Sequence, residues 1–301
     1  MGHLLDGKWT NENVLTNHDK TGLYFKRESV FRHRIEAGSD FLPEPGRYHL
    51  YCAVACPWAH RATLMRALKK LEPYVTLTDT FQEPGGQGWS FGEQGHIVPG
   101  TDRRVRWLHE LYSIADPGCT TRVTVPTLWD AKTRRIVNNE SSEIIRMMGA
   151  GLYPQKLRAE IDAVNDRVYR TVNNGVYRAG FATAQDKYEA AVSELFASLD
   201  WLEKRLAKRR WLCGAKLTEA DVRLFTTLVR FDAVYYSHFK CNLRRLVDYP
   251  RLWRYTRRFY ALPGVARTVD LAEIKSHYYR SQKHVNPTQI VPKGPLDLRL
   301  R

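Results

Sequence analysis

In the first half of the chain, the pattern of apolar and polar positions switches between the period of a strand and the period of a helix. RYHLYCAV alternates as a strand does, and the PWAHRATLMRALKKL after it places Leu64, Leu68 and Leu71 at helical spacing. YVTLTD, at 74–79, predicts a second strand. TVPTLWD and RRIVNN predict a hairpin around AKT, and SSEIIRMMG predicts a closing helix that ends at Gly149. This order predicts a small α/β domain with a mixed sheet.

A long insertion, at about 81–122, separates the two halves of this predicted domain and begins FQEPGGQGWSFGEQG. Loops of this length inside a compact domain are usually functional or disordered. Trp89 lies in the glycine-rich part, and a bulky aromatic side chain is costly to expose to water. We therefore expect the insertion to have a function that involves Trp89.

The second half of the chain, from about residue 156, shows helical periodicity. Two amphipathic runs each place their apolar residues on one face, Leu157, Ile161, Val164 and Val168 in the first and Val192, Leu195, Leu199, Leu202 and Leu206 in the second. A third run, KLTEADVRLFTTLVRF, opens with Thr218 and Asp221 at the spacing of a capping box. We therefore expect an α/β domain at 1–150 and an all-α domain at 151–301, with a polar, irregular N-terminal extension and tail.

The composition is that of an ordinary globular protein, since 43% of the 301 residues are hydrophobic and 26% are charged. There is no apolar run of transmembrane length, and the N-terminal MGHLLDGKWT lacks the pattern of a signal peptide. The five cysteines form an odd, sparse set, which is typical of a reducing compartment. We expect a soluble cytoplasmic protein. The histidines are scattered without a metal-binding spacing, so we expect no metal site.

The net charge of +15 raises the question of a nucleic-acid partner. Proteins that bind nucleic acids cluster their basic residues on one face and interleave them with aromatics. The densest basic run, EKRLAKRRWL at 203–212, instead lies where an amphipathic helix ends, and cations there offset the helix dipole. We therefore expect neither a nucleic-acid nor a membrane partner, and we expect the charge to attract small anionic substrates.

Cys56 lies at a predicted strand-to-helix turn and is followed directly by Pro57. Proline is favoured as the first residue of a helix, so Cys56 is expected to be the N-cap. The amides of the first turn and the helix dipole then stabilise a thiolate and lower the pKa of this cysteine, which makes it a nucleophile. The alternative is that Cys56 is a small buried apolar residue, which is a common role of reduced cysteines. The other cysteines are expected to be structural: Cys52, Cys119, Cys213 and Cys241.

Redox proteins with two cysteines often carry the second one three residues after the first, and that position here holds Ala59. No disulfide can therefore form across this turn. The pattern predicts the chemistry of a single thiol, in which a mixed disulfide forms on Cys56 and an external small thiol resolves it. Glutathione is the natural candidate for that thiol in a reducing cytoplasm.

Several longer motifs accompany this cysteine: ACPWAHR, NNESSEIIRM, VNNGVYRAGFAT, LTEADVRLFTTLVRFD, HFKCN and IKSHYYRSQKHVNPTQIVPKGP. Together with the two-domain order, they resemble the glutathione transferases, and more narrowly the glutathionyl-hydroquinone reductases, the Xi class of that superfamily. The resemblance runs over nearly the whole chain. It implies a thioredoxin-like N-terminal domain with a mixed sheet, an all-helical C-terminal domain and a homodimer.

The resemblance also implies which residues bind glutathione. Val125 and a cis Pro126 match the pair that bonds to the glutathione backbone, and the cis proline exposes the N–H and C=O of Val125 to a peptide ligand. Glu140 and Ser141 match the binders of the γ-glutamyl end, with Glu140 suited to its amino group and Ser141 to its carboxylate. Two further residues match glutathione contacts, Trp89 and Arg122. Glutathione is then a co-substrate, and no permanently bound cofactor is expected.

Cys56 matches the catalytic cysteine of the family, and Tyr177 and Tyr278 match the tyrosines that hold the aromatic ring of the substrate. Tyr279 is adjacent and remains an alternative to Tyr278. The implied reaction is the glutathione-dependent reduction of a glutathionyl-hydroquinone, in which Cys56 takes up the glutathione as a mixed disulfide and a second glutathione leaves as oxidised glutathione. Because the leaving atom is an aromatic carbon, tyrosine hydroxyls are suited to general-acid catalysis here.

Three other functions are compatible with parts of the pattern. A conjugating transferase would need a Tyr or Ser beside the glutathione sulfur, so ACPW argues against it. An omega-like thioltransferase or dehydroascorbate reductase fits Cys56 equally well, whereas the tail motif favours an enzyme that acts on a glutathionyl-hydroquinone. A non-catalytic glutathione-binding module is the last alternative, because this fold can lose catalysis.

Overall fold

The computed structural model describes residues 2–12, 19, 21, 27–83, 85–295, 298 and 300. These residues form two compact units, with 2–12, 28–83 and 85–148 in the first and 19, 21, 27, 149–295, 298 and 300 in the second. Within the described ranges, no helix combines the length and the apolar character that crossing a membrane requires.

The first unit combines strands and helices. Its described elements are, in chain order, β1 (His3–Leu5), β2 (Lys8–Thr10), β3 (Tyr48–Cys52), α1 (Pro57–Leu68), β4 (Val75–Asp79), β5 (Phe81–Gln82), β6 (Trp89–Ser90), β7 (His96–Ile97), β8 (Arg104–Val105), α2 (Leu108–Ala115), β9 (Thr127–Asp130), β10 (Arg135–Asn138) and α3 (Ser141–Met148). Four of these strands form one sheet in the order β10–β9–β3–β4. Strand β3 runs parallel to β4 and antiparallel to β9, so the predicted mixed sheet is confirmed. Every residue of β3 is buried, as expected for a central strand.

Helix α1 follows β3 and packs against both β3 and α3. The predicted apolar stripe accounts for part of this packing, since Leu64 is buried whereas Leu68 is half-buried. Small side chains, including Ala59 and Ala62, are fully buried and allow neighbouring elements to approach closely. The helix is therefore buried on more than one face, which a single apolar stripe did not predict.

The insertion at about 81–122 is not one long loop. Two hairpins and a helix occupy it, because β5 pairs with β6, β7 pairs with β8, and α2 follows. Each of these strands has two residues, which is too short for an alternating pattern to be visible in the sequence. Trp89 lies in β6 and is 8% exposed, so its ring is sheltered from solvent.

The N-terminal extension, predicted to be irregular, begins with the β1–β2 hairpin. The N–H of Leu4 donates to the Thr121 carbonyl at 2.8 Å, and the N–H of Thr121 donates to the Leu4 carbonyl at 3.0 Å. Leu4 is fully buried, so the start of the chain is anchored to the end of the insertion. The rest of the predicted extension, at 13–18, 20 and 22–26, lies outside the described residues.

The regular structure of the second unit is helical in its described part, as predicted. Its helices are, in chain order, α4 (Arg158–Val168), α5 (Gly175–Gly180), α6 (Gln185–Arg205), α7 (Glu219–Arg230), α8 (Pro250–Tyr260) and α9 (Leu271–Ser281). Helices α4 and α7 continue into π-helical turns, Tyr169–Asn173 and Phe231–Tyr235. The predicted apolar faces of α4 and α6 are buried, except that Leu157 is half-buried and is the N-cap of α4.

Thr218 and Asp221 form the predicted capping box at the start of α7. The N–H of Thr218 donates to Asp221 Oδ2 at 2.8 Å, while Asp221 Oδ1 accepts from the N–H of Leu212 at 2.9 Å and from the hydroxyl of Tyr255 at 3.0 Å. Asp221 is fully buried, and burial raises the pKa of its carboxyl to about 6. The cap therefore connects α7 to the preceding loop and to α8.

The chain after α9 is irregular, as predicted, but it is attached to that helix. Lys275 Nζ donates to the carbonyls of Lys293 and Gly294, at 3.1 and 3.0 Å. Asn286 Nδ2 donates to the carbonyl of Tyr279 at 2.7 Å. These bonds fix the described part of the tail along α9.

Candidate active site

Cys56 lies at the turn between β3 and α1. Its N–H donates to the Ala53 carbonyl at 3.0 Å, and its backbone is extended, with φ −76° and ψ 119°. It is the N-cap of α1 and Pro57 is the first helical residue, so this prediction is confirmed. The N–H groups of a helix's first turn have no partner within the helix, and positive partial charge accumulates there. The sulfur of Cys56 therefore lies at the end of α1 that favours an anion.

Cys56 differs from the other cysteines in its exposure. All five cysteines are among the described residues, none of them forms a disulfide, and Cys56 is the one that is not buried. Burial raises the pKa of Cys119 and of Cys213 to about 11 each and that of Cys241 to about 12. Burial raises the pKa of Cys52 further still. These four side chains stay neutral thiols at neutral pH, whereas Cys56 is partly exposed and is not a buried apolar residue.

The segment before β9 contains the Val125–Pro126 peptide bond in its cis form. Thr127, the first residue of β9, lies opposite Tyr51 of β3, so the register of the sheet brings this segment beside the end of β3. The Cys56 sulfur is 3.7 Å from the carbonyl oxygen of Val125, within reach of an S–H hydrogen bond. The structure thus brings Cys56 and the Val125–Pro126 pair together.

Tyr112, on helix α2 of the insertion, also holds this segment. Its hydroxyl donates to the Thr124 carbonyl at 2.9 Å and lies 2.9 Å from Thr127 Oγ1, and Asn139 Nδ2 donates to it at 3.2 Å. Tyr112 is fully buried, and burial raises its pKa. Sequence reasoning missed Tyr112 because it treated the insertion as a loop and predicted no helix at 108–115.

Glu140 and Ser141 lie at the start of α3. Ser141 is the first residue of the helix and is 1% exposed. The Glu140 carboxylate accepts from the N–H and from the hydroxyl of Ser142, each at 3.0 Å, and the Glu140 N–H donates to Asn138 Oδ1 at 2.7 Å. These bonds hold the Glu140 carboxylate at the N-terminus of α3, the end of a helix that favours an anionic group.

Arg61 connects α1 to this helix start, and the sequence pattern did not single it out. Its guanidinium lies over the ring of Trp58, 4.4 Å from the centroid, and Arg61 Nη1 donates to Ser141 Oγ at 3.3 Å. Arg61 is 1% exposed. Arginine is among the residues least often buried, so the apolar pattern of α1 carried no signal for it.

The two further residues matched to glutathione contacts also lie in the first unit. Trp89 pairs with Gln82 in the β5–β6 hairpin, and Arg122 is partly exposed and follows Thr121. Their assignment to glutathione stays a prediction. In the part of the chain that the structure describes, no group of three His, Cys, Asp or Glu side chains is arranged to hold a metal ion.

Tyr177 and Tyr278 are brought together within the second unit. Their hydroxyl oxygens lie 2.5 Å apart, and the Tyr278 hydroxyl also lies 3.0 Å from that of Tyr235. Tyr278 is 1% exposed, and burial raises its pKa well above the ordinary value. Its hydroxyl therefore keeps its proton at neutral pH and can act as a hydrogen-bond donor.

Tyr279 has different partners, although it adjoins Tyr278 in the chain. Its hydroxyl lies 2.5 Å from Ser237 Oγ. Tyr278, and not Tyr279, is therefore the one that bonds to Tyr177, while the assignment of either residue to the substrate ring stays a prediction. Sequence reasoning missed Tyr235 because aromatic residues at helical spacing usually belong to the core, and no pattern set this one apart.

Comparisons with known proteins agree with this geometry. Two family models match the chain, the Glutathione S-transferase, N-terminal domain over residues 55–150 and the Glutathione S-transferase, C-terminal domain over residues 185–258. Glutathionyl-hydroquinone reductase PcpF of Sphingobium chlorophenolicum is 49% identical over 98% of this chain and 96% of its own length. The Xi-class structure from Natrialba magadii superposes with a TM-score of 0.92 at 42% identity, over 100% of this chain and 95% of that one. The chain belongs to the Xi-class glutathione transferases, the glutathionyl-hydroquinone reductase family.

A glutathione-bound structure is known for a similar protein of this family. YqjG from Escherichia coli K-12 matches with a TM-score of 0.86 and 42% identity, over 98% of this chain and 96% of that one. The predicted fold class is confirmed, since the mixed-sheet unit and the helical unit are those of a glutathione transferase.

The packing beside Tyr177 gives a test of the second unit. Gly180 of α5 lies against Phe239, whose ring packs on Tyr177 with centroids 5.2 Å apart. A Cβ at Gly180 would lie 2.2 Å from Phe239 Cγ, whereas one at Gly175 of the same helix would meet nothing closer than 3.8 Å. We expect Gly180→Ala to lower the free energy of unfolding by about 1–3 kcal/mol, because Phe239 has to move.

Gly175→Ala is the matched control. We expect it to leave the free energy of unfolding unchanged or to raise it by up to about 1 kcal/mol, since alanine favours the helix and fits the space. Denaturant unfolding followed by circular dichroism measures both variants. Equal effects of the two substitutions would contradict the packing described here.

Proposed function

We propose that this protein reduces glutathionyl-hydroquinones to hydroquinones with glutathione, through a mixed disulfide on Cys56. The position of Cys56 carries the proposal, because it is the partly exposed N-cap of α1 and adjoins the Val125 carbonyl. The N-terminus of a helix favours a thiolate, which is the nucleophilic form of cysteine. Membership of the family supports the substrate class.

We infer that six residues of the first unit bind glutathione: Trp89, Arg122, Val125, Pro126, Glu140 and Ser141. The backbone of Val125 would pair with the peptide, while the start of α3 would take the γ-glutamyl end. The Cys56 sulfur is 3.7 Å from the Val125 carbonyl, so a glutathione that pairs with Val125 would have its own sulfur beside Cys56. The residues that would bind glutathione would therefore also place its sulfur for attack by Cys56.

In the first step, the Cys56 thiolate attacks the glutathione sulfur of the thioether. The bond from that sulfur to the ring carbon breaks, its electron pair goes to the carbon, and a sulfur–sulfur bond to Cys56 forms. The ring carbon takes up a proton in place of the sulfur, so the ring is reduced while the two sulfurs are oxidised to a disulfide. An aromatic carbon is a poor leaving group, and a proton donor is therefore needed.

In the second step, free glutathione resolves the mixed disulfide. Its thiolate attacks the glutathione sulfur bound to Cys56, oxidised glutathione leaves, and the Cys56 thiolate is restored. The position that would hold an internal resolving cysteine is the fully buried Ala59, so no thiol of this turn competes with the external one. The kinetics are expected to be ping-pong.

Tyr177 and Tyr278 are the proposed donors to the ring. Burial keeps Tyr278 protonated, and its hydroxyl is linked to those of Tyr177 and Tyr235. A linked set of hydroxyls can donate a proton at one member and recover it through the next. We propose that these hydroxyls donate hydrogen bonds to the ring oxygens and supply the proton that the ring carbon takes up.

We infer further that the protein is a cytoplasmic homodimer. The five described cysteines form no disulfide, which supports a reducing compartment. The dimer is inferred from the family, and sedimentation distinguishes it from a monomer. We assign the net charge of +15 to the attraction of anionic glutathione conjugates rather than to nucleic acid.

The role of Cys56 is tested by Cys56→Ser. We expect the release of free hydroquinone from a glutathionyl-hydroquinone and glutathione to fall by about 1,000-fold or more, because a serine hydroxyl is not ionised at neutral pH and forms no disulfide. Cys52→Ala is the matched control and is expected to keep the activity, since Cys52 is a buried neutral thiol. Intact-mass measurement is expected to show a glutathione adduct on the wild-type protein.

The outcomes of this assay separate the alternatives. Full activity of Cys56→Ser would contradict the mixed disulfide. Reduction of dehydroascorbate without release of hydroquinone would indicate an omega-like enzyme instead. Binding of glutathione without turnover of either substrate would indicate a non-catalytic module.

The role of the tyrosines is tested by Tyr278→Phe with two substrates. We expect turnover of a glutathionyl-hydroquinone to fall by about 10-fold or more, because the ring carbon loses its proton donor. Reduction of a small glutathione mixed disulfide is expected to be retained, since its leaving group is a thiolate. Tyr279→Phe is the matched control, and an equal loss on both substrates would argue for a structural role of Tyr278.

A further inference from the structure

Arg61 is among the largest fully buried side chains of the described chain, and the proposed mechanism does not use it. Its guanidinium is held over the ring of Trp58 and bonded to Ser141 Oγ, at 4.4 and 3.3 Å. Burying a cation costs free energy unless hydrogen bonds and nearby charge offset the loss of water. A buried arginine bonded to a serine at a helix start therefore indicates a function for the pair.

The bond from Arg61 decides which way the Ser141 hydroxyl points. A guanidinium has donors and no acceptor, so Ser141 Oγ must accept from it and must give its own proton to another group. In this structure the acceptor is Glu140 Oε1, 3.4 Å away. Arg61 thus keeps the serine hydroxyl oriented as a donor, ready for an anionic acceptor.

We propose that Arg61 is a positioning residue for the γ-glutamyl carboxylate of glutathione and acts through Ser141. The proposal rests on the proposed function, from which it takes the assignment of Ser141 to the γ-glutamyl end. Trp58 fixes the plane of the guanidinium, and the positive charge reinforces the first-turn amides of α3. One helix, α1, would then carry both the nucleophile and the group that orients the far end of its ligand.

Equilibrium binding of S-methylglutathione tests this proposal without turnover, because this ligand has no thiol. Arg61→Gln removes the charge, and we expect it to weaken binding by about 10-fold or more. Turnover at saturating substrate is expected to stay within about threefold, since the reacting atoms are unchanged. Arg66→Gln on the same helix is the matched control, because Arg66 donates to the carbonyls of Val75 and Glu72 and not to Ser141.

A double-mutant cycle identifies the route of the effect. Arg61→Gln is expected to weaken binding by less than about threefold when Ser141→Ala is already present, because the two residues act as one unit. Arg61→Lys keeps the charge but has no planar group to stack on Trp58, so it is expected to bind more tightly than Arg61→Gln and more weakly than the wild type. The proposal would be overturned if Arg61→Gln weakened binding equally in the wild-type and Ser141→Ala backgrounds. It would also be overturned if a folded Arg61→Gln variant bound S-methylglutathione as tightly as the wild type.

Trp58 provides a second test if Arg61→Gln does not fold. Trp58→Leu removes the ring that fixes the guanidinium and is expected to weaken S-methylglutathione binding several-fold, whereas Trp58→Phe keeps a ring there and restores it. The loss is expected to disappear in the Ser141→Ala background, and its persistence there would overturn the proposal. A wild-type protein that binds S-methylglutathione but reduces no glutathionyl-hydroquinone would refute the proposed function alone.

Discussion

The proposed chemistry depends on the position of Cys56 as the N-cap of helix α1, where the first-turn amides favour an anionic sulfur. Strand β3 brings the chain to that point, and Pro57 begins the helix there because its missing N–H costs nothing at the first position. The register of β9 on β3 brings the Val125 carbonyl to 3.7 Å from the same sulfur. The central sheet therefore sets the place of attack and the place where a peptide backbone can pair.

A single thiol at that position makes glutathione both a part of the substrate and the reductant. Because Ala59 is buried in the first turn of α1 and the remaining cysteines are buried elsewhere, the proposed mixed disulfide would be resolved by a second glutathione. The first unit would then bind a glutathionyl group in each half of the proposed cycle. In that proposal, the start of α3, where hydrogen bonds fix Glu140 and Ser141, binds the γ-glutamyl end in both halves of the cycle.

The sequence was sufficient for the parts of the fold that have long, regular patterns. Periodicity predicted the β3–α1–β4 order and the β9–β10 hairpin. Residue preferences at helix ends predicted the cap at Thr218 and the N-cap position of Cys56. The two-residue strands of the insertion are too short to show a period, and because the whole insertion was treated as a loop, helix α2 and its buried Tyr112 were missed. Arg61 and Tyr235 were missed because their burial depends on tertiary packing. The role of Cys56 followed from its place before Pro57, whereas the roles of the other site residues came from family resemblance rather than from pattern.

The pH dependence of Cys56 alkylation tests the central claim most directly. Iodoacetamide reacts with the thiolate, so the labelling rate of Cys56, with Cys56→Ser as the blank, follows the ionised fraction of this side chain. If α1 keeps the sulfur anionic, the rate will already be at its plateau near neutral pH. A rate that is low at neutral pH and rises only in the range where an ordinary cysteine ionises would contradict the account.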